Sequence, residues 1–266
     1  MTSEKFSNQV NEAKVYVNSK IENIPEIAIV LGSGLAYFGD KIDTELVMDT
    51  ADIPHYPQPT VSGHQGKLIF GKVGDTRIIA AKGRSHYYEG HELDAITFYA
   101  HLFKELGVKK LILTNAAGGV NPEFLPGDFV LIDGFINFGQ VELPGDDDYG
   151  KLLSVNLQEK AESVAKEIGI KLPRGTYCWT TGPTFETPSE VEAIHSIGGG
   201  LAGMSTLPEA VIAFDLGFEI LGISLVTNQA AGISQTPLTH EEVKETADKI
   251  KEPYYHFMKK VINAIN

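Results

Sequence analysis

Three short segments of this chain gather side chains able to grip a polar or charged small molecule. Gly182-Pro183-Thr184-Phe185-Glu186-Thr187 sets a ring beside a carboxylate. Gly203-Met204-Ser205-Thr206 supplies two hydroxyls, and Thr227-Asn228 ends an apolar run on an amide. Two of the three run straight into helix start signals. Thr187-Pro188-Ser189-Glu190 has Thr at the cap, Pro at the first helical position and Glu three residues after the cap, and Thr206-Leu207-Pro208-Glu209 repeats the logic. Glu186 and Ser205 are therefore expected on loops at helix entrances, where unpaired N–H groups favour anions and neutral acceptors. Met204 and Phe185 are core residues by default.

Gly83-Arg84-Ser85-His86-Tyr87-Tyr88-Glu89-Gly90-His91 follows directly on an apolar run. If this stretch is extended, Arg84, His86 and Tyr88 share one face. An arginine fork and an imidazole suit an oxyanion, and the tyrosine offers a ring and a hydroxyl to a sugar or base. The spacing favours this over a solvated loop with an Arg84–Glu89 surface pair. A metal at His86 and His91 lacks a third ligand. Gly32-Ser33-Gly34 ends another apolar run in a turn able to cradle phosphate with its N–H groups. Tyr37 stands where a dinucleotide fingerprint needs glycine, which argues against a Rossmann cofactor site. Thr114-Asn115-Ala116-Ala117-Gly118-Gly119 is either a place of close backbone approach to a ligand or a packing turn. His64, in a Gly/Pro-rich loop, either joins the anion site or is simply exposed. His240 reads first as a residue of a helix start.

The elements that must carry these residues follow from periodicity. Apolar runs at 26–31, 68–73, 77–81, 110–114, 129–133, 177–180, 201–204 and 219–227 are expected as buried strands. Helices are expected at 3–20, 92–106, 154–168, 187–197, 206–216 and from 239 onward, the last interrupted at Pro253. The pattern favours a single α/β domain over 1–266, an α/β/α sandwich around a mixed sheet. Stretches 53–62 and 140–150 read as mobile surface loops. A net charge of −13 disfavours nucleic acid as a partner, and no apolar run approaches a membrane span. The single Cys178 and a polar stretch over residues 1–20 lead us to expect a reducing, cytoplasmic setting.

Taken together, the motifs resemble the trimeric purine nucleoside phosphorylases of the inosine and guanosine type. The matching segments are Val-Leu-Gly-Ser-Gly at 30–34, Gly-His-Gln-Gly at 63–66 and Gly-Arg-Ser-His-Tyr-Tyr-Glu-Gly at 83–90. They continue with Thr-Asn-Ala-Ala-Gly-Gly at 114–119, Gly-Pro-Thr-Phe-Glu-Thr at 182–187, Gly-Met-Ser-Thr at 203–206, Thr227-Asn228 and His-Glu-Glu-Val at 240–243. The resemblance implies that phosphate is held by Ser33, His64, Arg84, His86, Ser205 and the main chain at Ala116. It implies ribose contacts from Tyr88, Met204 and His240. The purine would lie between Ala117-Gly118 and Phe185, with Glu186 and Asn228 on its polar edge. Glu186, Asn228 and His86 are the expected catalytic residues. Inorganic phosphate would be a co-substrate, with no metal or organic cofactor, and the assembly a homotrimer acting in purine salvage. One departure is visible. The family's longer loop after the strand ending at Asn137 lends an aromatic ring to a neighbouring subunit, whereas here the chain enters the short acidic stretch 140–150, with Phe138 the aromatic at hand.

Three other functions compete. A methylthioadenosine phosphorylase would typically carry Asp at 228 and Thr at 205. A nucleoside hydrolase would not need the Ser33, Arg84, His86 and Ser205 set, and a non-enzymic nucleoside sensor would have no reason to keep it.

Overall fold

Ile27–Leu31 is five apolar residues in a row, and it forms a strand buried along its whole length, the signature of a strand covered on both faces. The computed structural model describes residues 4–58, 66–145, 148–233, 245–246 and 248–266. The elements in chain order are α1 (Glu4–Asn18), β1 (Ile27–Leu31), α2 (Tyr37–Asp40), β2 (Asp43–Asp49), β3 (Lys67–Val73) and β4 (Thr76–Lys82). Next come α3 (Leu93–Ile96), α4 (Phe98–Leu106), β5 (Lys110–Gly119), β6 (Phe129–Asn137), α5 (Val155–Ile168) and β7 (Arg174–Trp179). The chain then forms α6 (Pro188–Ser196), β8 (Leu201–Gly203), α7 (Leu207–Asp215), β9 (Glu219–Gln229) and α8 (Lys251–Ile265).

The strands make one mixed sheet in the order β2-β3-β4-β1-β5-β8-β7-β6-β9, and β9 also pairs with β5, which closes the second half on itself. Only β2 borders the described sheet on an open side, and its pairing with β3 bulges between Thr44 and Leu46. Helices cover both faces. Phe6 and Val10 of α1, Phe98 and Phe103 of α4 and Leu207 of α7 pack on one side. Leu157 of α5 and Phe257 and Val261 of α8 pack on the other. The fold is a single-domain α/β sandwich around a mixed sheet.

Several boundaries differ from the sequence expectation. The strand expected to stop at Thr114 continues to Gly119, because Asn115 to Gly119 pair with β9 across a bulge between Ala117 and Gly118. Of the two readings of 114–119, the packing turn gives way to sheet, and Asn115 to Gly118 line the cleft. β2 went unforeseen: Asp43-Thr44-Glu45 opens it with exposed polar residues, so no apolar run marks it. The helix expected at 92–106 divides at Thr97, whose own hydroxyl bonds back to the Leu93 carbonyl at 2.8 Å. The expected interruption of the last helix falls just ahead of Pro253: residues 248–249 are helical, Ile250 is a turn, and α8 starts anew at Lys251. Pro253 sits in the first turn of α8, where its missing N–H leaves no helical bond unmade. Residues 239–244 lie outside the described residues.

Candidate functional site

The carboxyl ends of β1, β4 and β5 converge, and the chain leaving them builds a cleft. After β1, Gly32 lies so close to β5 that a Cβ there would fall 2.7 Å from the Asn115 Cα, so only glycine fits. Ser33 is thereby delivered to the cleft. After β4, Arg84 and His86 emerge buried, at 4% and 8% exposure. His86 opens a one-turn helix, Tyr87–Glu89, so Arg84, His86 and Tyr88 do not share an extended face as the alternation suggested. The turn instead stacks the His86 ring on Tyr88, 4.8 Å between centroids and 15° between planes.

The cleft has a volume of about 200 Å³. One part of its lining is Ser33, Arg84, His86, Ala116 and Ser205. The rest includes Tyr88, Ala117, Gly118, Phe185, Glu186, Met204 and Asn228. Every described residue that the resemblance assigns to the site meets in this one cavity, although six separate segments supply them. His64 and His240 lie outside the described residues. Phe138 is half-buried and packs against the small cluster that holds Cys178 and Val191.

Arg84 is gripped from behind. Its Nη1 donates to Glu209 Oε2 at 2.6 Å and to Thr206 Oγ1 at 3.4 Å, and its Nη2 donates to the Thr114 carbonyl. The surface pair with Glu89 does not form. Glu89 serves His86, accepting from its backbone N–H at 2.6 Å and facing its Nδ1 at 3.0 Å. Burial, joined by the Arg84 charge, holds the His86 pKa below the ordinary histidine value against the opposing pull of Glu89. Burial thus favours the neutral imidazole.

At the other end, Thr180 Oγ1 donates to Glu186 Oε1 at 2.6 Å, and Thr227 Oγ1 donates to Asn228 Oδ1 at 2.9 Å. Asn228 Nδ2 donates to the Gln229 carbonyl at 3.2 Å, and because a carbonyl only accepts, this fixes the amide with its Oδ1 toward Thr227. Both helix entrances form as the sequence implied. Thr187 and Glu190 exchange cap bonds, the Thr187 N–H to the carboxylate at 2.7 Å and the Glu190 N–H to the hydroxyl at 3.3 Å. Thr206 donates its N–H to Glu209 at 2.9 Å. Ser205 is further held by its N–H on the Tyr177 hydroxyl, 3.3 Å.

Sequence reasoning assigned no role in the site to Glu209, Glu89, Thr180 or Asn115, the residues that brace the cleft. Glu209 was visible only as a capping residue, since its partner Arg84 is distant in sequence. Asn115 lines the cleft at 1% exposure, donates to Thr206 Oγ1 at 3.0 Å, and has no hydrogen bond to its Oδ1 among the described residues.

Comparison with known proteins agrees with this geometry. The phosphorylase superfamily profile matches residues 26–263. Purine nucleoside phosphorylase 1 of Geobacillus stearothermophilus is 40% identical over 263 residues, covering 95% of this chain and 96% of that one. The structure of Schistosoma mansoni purine nucleoside phosphorylase in complex with inosine superposes with a TM-score of 0.88 at 32% identity, covering 96% and 95% of the two chains. The adenosine complex of the Schistosoma mansoni enzyme gives 0.90 at 31% identity, covering 97% and 98%.

Proposed function

The chain belongs to the phosphorylase superfamily, among its purine nucleoside phosphorylases, and from that premise we propose that it catalyses reversible phosphorolysis of 6-oxopurine nucleosides such as inosine and guanosine. The products are the free base and (deoxy)ribose 1-phosphate, in cytoplasmic purine salvage. The observation that carries this reading is the single cleft with Arg84, His86, Ser33 and Ser205 in its wall beside Glu186 and Asn228.

Phosphate, held by Ser33, Arg84, His86, Ser205 and the Ala116 main chain, attacks C1′ of the ribose through one oxygen. The C1′–N9 bond breaks and its electron pair departs with the purine. Positive charge on the sugar is met by the phosphate itself, so no covalent enzyme intermediate is needed. Negative charge on the base is met by Asn228 Nδ2 at N7, a bond that strengthens as the charge develops. Glu186 accepts from N1–H and so selects a 6-oxopurine, while Phe185, Ala117 and Gly118 flank the ring. Tyr88 and Met204 face the ribose. His64 and His240, by family resemblance, complete the phosphate site and the 5′-hydroxyl contact. The reaction calls for neither metal nor organic cofactor.

The test is product release from inosine, guanosine and adenosine, each with and without inorganic phosphate. Inosine and guanosine should be cleaved only with phosphate. Adenosine should lag by at least ~10³ in kcat/KM, the scale of a site whose polar groups are left unpaired. Adenosine occupies the Schistosoma mansoni enzyme in its crystal complex, which supports reading the discrimination as one of transition-state stabilisation rather than of binding. Hypoxanthine released equally well without phosphate would overturn the assignment.

A further inference from the structure

One carboxylate behind the cleft touches several of the parts that shape its anion end. Glu209, the third residue of α7, is 3% exposed. Its Oε2 accepts from Arg84 Nη1 at 2.6 Å and from the Thr206 N–H at 2.9 Å, and its Oε1 accepts from the Tyr99 hydroxyl of α4 at 2.9 Å. Thr206 has φ 74° and ψ −51°, and the Leu207 N–H reaches back to the Ser205 carbonyl at 2.9 Å. That makes Thr206 the centre of a γ-turn with positive φ, a rare and strained backbone for a β-branched residue. Such strain persists only where the surroundings over-determine it. Here the holds are Glu209 on the N–H and Asn115 Nδ2 on the side-chain oxygen.

We propose that Glu209 is a positioning residue for the phosphate co-substrate: by bonding Arg84 and the Thr206 turn at once, it fixes the guanidinium and Ser205 relative to each other before the anion arrives. The proposal rests on the phosphorolysis reading above. Charge alone would make a carboxylate at this place unhelpful, since it repels the anion that Arg84 attracts. Geometry and charge thus act with opposite sign, which makes them separable.

Glu209→Asp keeps the charge and loses a methylene of reach. Glu209→Gln keeps the reach and loses the charge: its amide oxygen can serve Arg84 and Thr206 while its NH2 group donates to the Tyr99 oxygen. Two readouts apply to the parent and both variants: KM for phosphate and for inosine with kcat, and the thermal midpoint titrated with inorganic phosphate alone. Glu209→Asp should raise the phosphate KM about tenfold or more and leave the inosine KM within about threefold. The phosphate needed to shift its midpoint should rise in step. Glu209→Gln should hold the phosphate KM at or below that of the parent.

An Asp variant within about twofold of the parent in phosphate KM overturns the proposal, as does an equal rise in both KM values, the sign of general damage. If the Asp variant does not fold, Tyr99→Phe removes only the hydroxyl on Oε1. A rise of about threefold in phosphate KM alone then supports the role, and no rise overturns it. A parent indifferent to phosphate in activity and midpoint removes the phosphorolysis reading and this one together. A phosphate-responsive parent with an unaffected Asp variant removes only the role of Glu209.

Discussion

Glu186 and His86 are both held by near neighbours in sequence, Thr180 and Glu89, and each makes a measurable prediction. Glu186, fixed by Thr180, is aimed before substrate arrives. Its replacement by Ala should cost roughly 3–4 kcal/mol of transition-state stabilisation, read as the loss in kcat/KM for inosine. A variant within a few-fold of the parent would remove Glu186 from the base site. His86 acts on stability. Its folded pKa lies below the ordinary value of 6.5, chiefly through burial. As pH falls from 6.5 toward the folded value, the unfolded chain takes up a proton that the folded ring refuses, so unfolding becomes easier. Urea unfolding between pH 7.5 and 5 should show this loss, and His86→Gln should flatten it by up to about 1.4 kcal/mol per pH unit. His101, also lowered by burial, supplies the slope that remains in the variant.

Among the elements, those announced by unbroken apolar runs were legible: β1, β4 and β9 stand within two residues of where the sequence put them. The capping boxes of α6 and α7 were legible because their chemistry is local, three residues from cap to partner. What the sequence hid is what only folding creates. β5 runs on through Asn115-Ala116-Ala117 because β9 waits alongside, a partner more than a hundred residues later. The same holds for the site. Residue types and spacing disclosed what faces the cleft, and the braces behind it, Glu209 and Thr180, emerged only from the packing. β7 carries a further consequence. Cys178 is fully buried there, and burial with the nearby Glu186 charge pushes its thiol up to about 12. Iodoacetamide should therefore leave the native protein unmodified at pH 8 and alkylate it once denatured, as mass spectrometry would show.

The described residues of the cleft all come from one chain, and the family resemblance adds the expectation of three chains. We predict a homotrimer, read by light scattering near three times the chain mass of 28.9 kDa. A mass near that of a single chain would reject it. No described helix is long and apolar enough to cross a membrane. The sheet's closure has one more effect. With β9 turned back onto β5, the described sheet offers strangers a single seam, β2, and there Asp43, Glu45 and Asp49 accompany a bulge. A second copy's strand sliding up to that seam meets carboxylates and a broken register, not a flat template. In a crowded solution the fold is thus guarded against fibrous stacking at the one place where the backbone of the described sheet could seed it.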